Sequence, residues 1–307
     1  MPNPPTKINT NEIAQNFLNK FDTFLFDCDG VIWSGNRLLP NVKEFLEKLR
    51  HLGKQFMFIT NKSTIPRKQF VEVFKSFDIE ISIDQVINSA YSSAMYVRDV
   101  LKLQPGKDKV WVFGECGIPE ELNLMGFKTL GGVDPRLNEP FDAATSPFLV
   151  DGLDEDVRAV VAGFDSKINY HKLAVTLQYL LKDKEIPLVG ADADRVFPER
   201  GRVLPGAGPM VESLAFQSGK VPTYCGKPTM NMLNVIVSSK HLDKSRCCMV
   251  GDIMEVDIAF GKNGNLGGTL LVLSGVETEK SLQEPKEGIP TPDFYAENLG
   301  AIYNLLK

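Results

Sequence analysis

The sequence predicts an α/β protein: a doubly wound parallel-sheet core with a second α/β domain inserted into it. Three observations predict this class. Short apolar runs, such as residues 24–26, 54–60, 109–114, 157–162 and 247–252, read as strands buried on both faces. Amphipathic stretches of helical spacing alternate with them across short joints, as right-handed parallel βαβ units require. The pattern pauses at Gln104-Pro105-Gly106-Lys107-Asp108, restarts, and returns through Pro205-Gly206-Ala207-Gly208-Pro209. The expected core is therefore residues 1–104 and 209–307, and the expected insert is residues 105–208. A length of 307 residues suits about two domains of roughly 150 each.

In the first part of the chain, residues 11–20 read as a helix leading into the strand at 24–26. Ser34-Gly35-Asn36-Arg37 reads as the tip of a small hairpin. Residues 41–52 form a clear amphipathic helix, with Val42, Phe45, Leu46, Leu49 and Leu52 on one face and Gly53 placed to end it. After the strand at 54–60 comes a helix presenting Phe70, Val71, Phe74 and Phe77, then another over 91–103.

The insert reads as strand 109–114, helix 119–125, strand 157–162, helix 169–182 and strand 186–190, with 131–152 as a surface connection. Leu173, Leu177, Leu180 and Leu181 are the expected core face of its long helix. Residues 190–202 carry Asp192, Asp194, Phe197 and three arginines. Two readings stay open for this loop: solvated local ion pairs, or a lid that inspects a substrate's leaving group. The core then resumes with helix 210–217, strand 221–225, helix 229–238, strand 247–252, strand 267–273 and a helix at 301–306.

Composition narrows the function classes. An apolar content of 43% supports packed cores, and a net charge of −5 argues against a broad nucleic-acid footprint. No apolar run approaches the roughly 20 residues that span a bilayer. Residues 1–10 lack the features of a signal or transit peptide, so the expectation is a cytoplasmic protein, with nuclear presence open. The cysteines, Cys28, Cys116, Cys225, Cys247 and Cys248, are odd in number and show no metal-finger spacing, as reduced thiols do. A redox role for Cys28, which lies between two acids, stays open.

Chemistry gathers where strands end. The run at 24–26 stops on Asp27 and Asp29, with Gly30 behind them. Two acids there suit a cation such as Mg²⁺, which takes one or two carboxylates plus waters and phosphate oxygens; the plain alternative is an Asp-Gly turn. Thr60 and Asn61 end the second strand, Lys227 follows the strand at 221–225 between Gly226 and Pro228, and Asp252 and Asp257 follow the strand at 247–252. If all four strands share one parallel sheet, these groups share one edge. Acids, one ammonium and hydroxyl and amide donors suit phosphoryl transfer, with a carboxylate as nucleophile and a neighbouring acid serving the leaving oxygen. There is no GxxxxGK[ST] loop and no HExxH, and His51, His171 and His241 read as structural or surface residues.

These four motifs, Asp27-Cys28-Asp29-Gly30, Thr60-Asn61, Lys227 and Gly251-Asp252 with Asp257, resemble those of the haloacid dehalogenase superfamily of phosphatases. The intervening segment looks like the large α/β (C2-type) cap of the 4-nitrophenylphosphatase and phosphoglycolate phosphatase branch, over a Rossmann-like core. The resemblance implies Asp27 as nucleophile and Asp29 as general acid/base and main-chain metal ligand. It implies Mg²⁺ on Asp27, Asp29 and Asp252, with Asp257 holding Lys227 or a metal-bound water. Thr60, Asn61, Lys62 and Lys227 would bind phosphate, and Asp192, Asp194 and Phe197 are cap candidates for specificity. Lys62, Asp192, Ile253-Met254 and Val256 depart from the usual residues without removing a catalytic group.

The implied activity is Mg²⁺-dependent hydrolysis of small phosphorylated metabolites, 2-phosphoglycolate among them, in a protein that pairs as a homodimer through the cap. Pyridoxal phosphate or phosphoprotein hydrolysis are rivals on the same scaffold. A catalytically silent phosphate-binding or scaffold protein is the rival from another class.

Overall fold

The computed structural model describes residues 4–240, 242–284 and 286–307. The chain separates into two compact units. The first comprises Met1–Thr60, Val71–Ile87 and Lys227–Lys307; the second comprises Asn61–Phe70 and Asn88–Gly226.

The first unit carries a seven-stranded sheet. Its strands lie in the order Thr6–Lys7, Phe294–Ala296, Gly268–Val272, Cys247–Gly251, Thr23–Phe26, Gln55–Thr60 and Val86–Asn88. Strand Thr23–Phe26 runs parallel between its two neighbours, with Phe26 opposite both Phe58 and Val250. The chain moves outward from it in one direction through Gln55–Thr60, and in the other from Cys247–Gly251 through Gly268–Val272. The order reverses between the two central strands. At such a switch point the carboxyl ends leave a crevice for ligands. Asp27 and Asp252 emerge there, each just past its strand.

Phenylalanines fill the core around this centre. Phe17 meets Phe21, Phe24 and Phe294 with ring centroids 5.4, 5.7 and 5.1 Å apart. Phe58 packs on Phe74 at 4.1 Å, and Trp33 packs on Phe74 at 5.0 Å. Each such pair adds about 0.5–1.5 kcal/mol beyond burial alone. Trp33 opens the expected hairpin, Trp33–Ser34 with Arg37–Leu38, so its ring anchors the segment just beyond Asp29. Helix Val42–His51 buries Val42, Phe45, Leu46 and Leu49, but Leu52, expected on the same face, lies past the helix end at its C-cap and is exposed.

The second unit has its own five-stranded parallel sheet, ordered Thr223–Tyr224, Leu188–Gly190, Val157–Ala162, Lys109–Phe113 and Lys128–Gly131. Here the structure differs from the sequence reading in several places. Strand Thr223–Tyr224 was expected in the core sheet but pairs with Val189 and Gly190. The physical reason is close approach: Gly190 has no Cβ, and the Tyr224 ring occupies that space. Lys227 therefore follows a strand of the second sheet.

The units also part elsewhere than at 104/105 and 208/209. Helix Ser89–Asp99 packs Ala90, Ala94 and Val97 against Val110 and Val112. Helix Ala207–Ser218 packs Val211 and Leu214 in the cluster holding Trp111 and Leu188. Apolar packing, rather than the linker-like composition beside each helix, decides their allegiance. The stretch 131–152 is not wholly surface either, because Leu137 is buried in the same cluster and Phe148 and Leu149 pack on it.

Helix Tyr170–Lys182 turns a different face inward. It buries His171, Lys172, Val175, Thr176, Tyr179 and Leu180, while Leu181 stays 57% exposed. Each polar group on that face has a partner. Lys172 Nζ lies 2.6 Å from Asp165 Oδ2, Thr176 Oγ1 accepts from Trp111 Nε1 at 2.8 Å, and Tyr179 stacks on Trp111 at 4.6 Å. Residues 190–202 are also more ordered than a loop, with strands Val196–Glu199 and Arg202–Pro205 paired antiparallel. No helix among the described residues is long and apolar enough to cross a membrane.

Candidate active site

Asp27 is held at the end of its strand by a main-chain bond from its N–H to Val250 O at 2.9 Å. Its carboxylate meets Lys227, whose Nζ lies 2.6 Å from Asp27 Oδ1 and 2.7 Å from Asp257 Oδ1. Asp257 sits in the π-helical turn Met254–Ile258, together with Met254 and Val256. Its other oxygen accepts from the N–H groups of Asp252 and Ile253, both at 3.1 Å. Gly251 is required beneath it, since a Cβ there would collide with the Asp257 side chain. Both Asp257 oxygens are thus engaged in orienting Lys227 and the turn.

Asp252 is differently placed. Its Oδ2 accepts from Val276 N–H at 2.9 Å, while its buried Oδ1 has no hydrogen-bond partner. Gly30, at φ +81°, allows this approach, because a Cβ there would lie 2.5 Å from Asp252 Oδ2. One oxygen from each of Asp27, Asp252 and Asp257 falls within 4.8 Å of the others. Three buried carboxylates against one ammonium, with one oxygen unsatisfied, fit a divalent cation.

The electrostatics agree. Burial, above all, pushes the Asp27 carboxyl well above its ordinary range; Lys227 opposes this, and Asp257 and Asp252 reinforce it. Burial and then Asp257 raise Asp252 to about 7. Burial alone would depress Lys227, but Asp257 and Asp27 more than reverse it and hold the ammonium above its ordinary value. Lys227 is therefore a fixed positive charge, and the acids repel one another across the remaining space.

The other expected residues fall into three groups. Asp29 is exposed and stands outside the carboxylate cluster; its Oδ1 accepts from Trp33 Nε1 at 3.0 Å. Thr60 and Asn61 are buried, and Lys62 is exposed. In the second unit Asp192 is buried, Asp194 is half-buried and bonded to Asn61, and Phe197 packs edge-on against Phe164 at 5.6 Å. Cys28 is buried beside Asp27 in sequence. His51 is exposed, His171 is buried with Nε2 2.8 Å from Ser146 Oγ, and His241 lies outside the described residues.

Sequence reasoning missed two contributors. Trp33 orients Asp29, and the stretch after strand Gly268–Val272 supplies both Val276 N–H and Ser274 Oγ, which donates to Gly30 O at 2.7 Å. The signal for the second was present, since Ser274-Gly275 is another polar end beyond an apolar strand.

A doubly wound sheet whose switch point holds an aspartate beside a buried lysine and further acids is chemically suited to phosphoryl transfer. Residues 24–128 match the family model described as haloacid dehalogenase-like hydrolase, and residues 224–302 match a second model of HAD-hydrolase-like proteins. The chain is 40% identical to a 4-nitrophenylphosphatase of Schizosaccharomyces pombe, over 96% of this chain and 98% of that one. It is 36% identical to phosphoglycolate phosphatase 1A, chloroplastic, of Arabidopsis thaliana, over 94% of this chain and 78% of that one. Among solved structures, p-nitrophenyl phosphatase from Archaeoglobus fulgidus superposes with a TM-score of 0.78 at 27% identity, covering 93% of this chain and 99% of that one. The chain belongs to the haloacid dehalogenase-like hydrolase family, and it is a phosphatase of that family.

Proposed function

We propose that this phosphatase is a Mg²⁺-dependent phosphomonoesterase for small phosphorylated metabolites, with 2-phosphoglycolate and related phospho-acids as its class of substrate. The observation that carries the reading is the Asp27–Lys227–Asp257 chain beside the unsatisfied oxygen of Asp252. The names of the relatives support the substrate class.

An Asp27 carboxylate oxygen attacks phosphorus in line with the ester oxygen. The new Asp27–O–P bond forms as the P–O bond to the substrate breaks, and the leaving alkoxide takes a proton from Asp29. Water then attacks the aspartyl-phosphate with Asp29 as base, which releases inorganic phosphate and restores Asp27. Lys227 keeps Asp27 oriented and offsets negative charge at both stages. Thr60, Asn61 and Lys62 bind the phosphate oxygens. Mg²⁺ on Asp27, Asp252 and the main chain of Asp29 supplies further charge neutralisation when bound.

The second unit acts as the cap, residues 105–208 at its heart, with Asp192, Asp194 and Phe197 setting preference among leaving groups. The chain pairs as a homodimer through this unit. Phe216, 92% exposed on helix Ala207–Ser218, and Val221, 88% exposed before the edge strand Thr223–Tyr224, support that pairing.

The test is phosphate release from 2-phosphoglycolate, glycerol 3-phosphate, pyridoxal phosphate, a phosphotyrosine peptide and 4-nitrophenyl phosphate, each with Mg²⁺, with EDTA and with Asp27→Asn. One small phospho-acid should dominate in kcat/KM. Turnover should fall by at least about 10³-fold without metal or without Asp27, as for loss of a nucleophile. Equal rates across the panel, or activity surviving in Asp27→Asn, would sink the proposal.

A further inference from the structure

The loop that follows strand Gly268–Val272 closes on Asp252 from two sides. Val276 N–H donates to Asp252 Oδ2 at 2.9 Å, and Glu277 N–H donates to the Asp252 carbonyl at 3.2 Å. Gly275 lies against the carboxylate itself, where a Cβ would collide with Asp252 Oδ2. Gly30 packs on the same oxygen, since a Cβ there would lie 2.5 Å from it. The Gly30 carbonyl in turn accepts from Ser274 Oγ at 2.7 Å. Ser274 thus ties the turn after Asp29 to the loop over Asp252, and all of these residues belong to the first unit.

The result is a carboxylate with two unlike oxygens. Oδ2 is engaged by Val276 and walled by two glycines, while the buried Oδ1 has no hydrogen-bond partner. Asp257 is engaged at both oxygens, one by Lys227 and the other by the N–H groups of Asp252 and Ile253. A carboxylate held as Asp252 is held meets a cation through one oxygen. Mg²⁺ takes single oxygens at the corners of an octahedron and completes its shell with waters and phosphate. Ca²⁺ is larger, takes more ligands and readily uses both oxygens of one carboxylate.

We propose that loop 274–276 is a positioning element for the metal site, reserving one oxygen of Asp252 for a divalent cation and so favouring Mg²⁺ over Ca²⁺. Val276 acts through its main-chain N–H, Gly275 by leaving room for the carboxylate, and Ser274 by anchoring the loop to Gly30. The inference rests on the metal-dependent reading above, with Asp252 as a ligand.

The test reads metal binding by the full chain without substrate, by calorimetric titration with Mg²⁺ and with Ca²⁺ and by the EPR signal of free Mn²⁺. Ser274→Ala removes the anchor on Gly30. Gly275→Ala pushes the Asp252 carboxylate away from Val276. Both should weaken Mg²⁺ and Mn²⁺ binding by about tenfold, as loss of a partner that orients a metal ligand does. Ca²⁺ binding should weaken by less than about threefold, because a released carboxylate can present both oxygens. Ser274→Thr keeps the hydroxyl and should bind Mg²⁺ as the wild type does. Thermal melts in EDTA check that each variant is folded, and Ser274→Ala, which adds no bulk, carries the test should Gly275→Ala fail to fold.

Unchanged Mg²⁺ affinity in the folded variants overturns the inference alone. So does an equal loss for Mg²⁺ and Ca²⁺, because a site that has merely loosened would lose both. A Ser274→Thr variant as weak as Ser274→Ala also overturns it, since the hydroxyl would then not be the anchor. A wild-type chain that binds neither Mg²⁺ nor Mn²⁺ overturns the metal-dependent reading and the inference with it.

Discussion

Buried acids in the second unit are met by different partners. Glu121 accepts from Arg67 Nε at 3.0 Å, and Asp165 faces Lys172 at 2.6 Å. Asp192 instead accepts from the main-chain N–H of Asp194, and burial, then the charge on Asp194, pushes its carboxyl well above the ordinary 3.8. Such a group is protonated in the fold at pH values where the unfolded chain has already ionised. Its contribution to stability is therefore full below 3.8 and is lost as pH rises through the folded value. Asp192→Asn keeps the acceptor oxygen and cannot ionise. Thermal melts should show no gain near pH 4 and a gain that grows toward pH 8, about 2–4 °C for each kcal/mol relieved. A gain independent of pH would show that Asp192 carries no charge-burial cost.

Among the elements, helix Tyr170–Lys182 shows what spacing alone leaves undetermined. Two apolar arcs compete on it, and a leucine count selects the one containing Leu181. The structure selects the other because Lys172, Thr176 and Tyr179 find Asp165, Trp111 and Asp154 as partners, none of them adjacent in sequence. Leu180→Ala should therefore cost about 2–5 kcal/mol, and Leu181→Gln less than about 0.5 kcal/mol, measured from urea midpoints. Equal losses would return the helix to the leucine face. Strands and helices of the first unit were legible because each is set by its own short pattern, as in Val42–His51. The sheet to which Thr223–Tyr224 belongs was not, because that choice depends on Gly190 giving way to the Tyr224 ring. Within the site, Asp27, Lys227, Asp252 and Asp257 were legible as strand-end groups. In the second unit, the Asn61–Asp194 bond was not legible, because it depends on how the Gly206–Gly208 backbone packs.

For the whole molecule, the proposed homodimer places Phe216 and Val221 in an interface. Phe216→Glu should shift the species seen by light scattering toward monomer, and a wild type that is monomeric at micromolar concentration would remove the proposal. The two-unit organisation also has a temporal side. Residues 23–26 find their partners at 247–250, and Asp27 meets Lys227. At about 5–20 residues per second, a ribosome needs roughly 10–40 s to pass from Asp27 to Lys227. Through that interval, and until residues 247–250 are made, the central strand has an open edge, a template for pairing with other chains. If Asp27 is the nucleophile proposed above, it is made early and stays without its lysine until most of the chain has been translated.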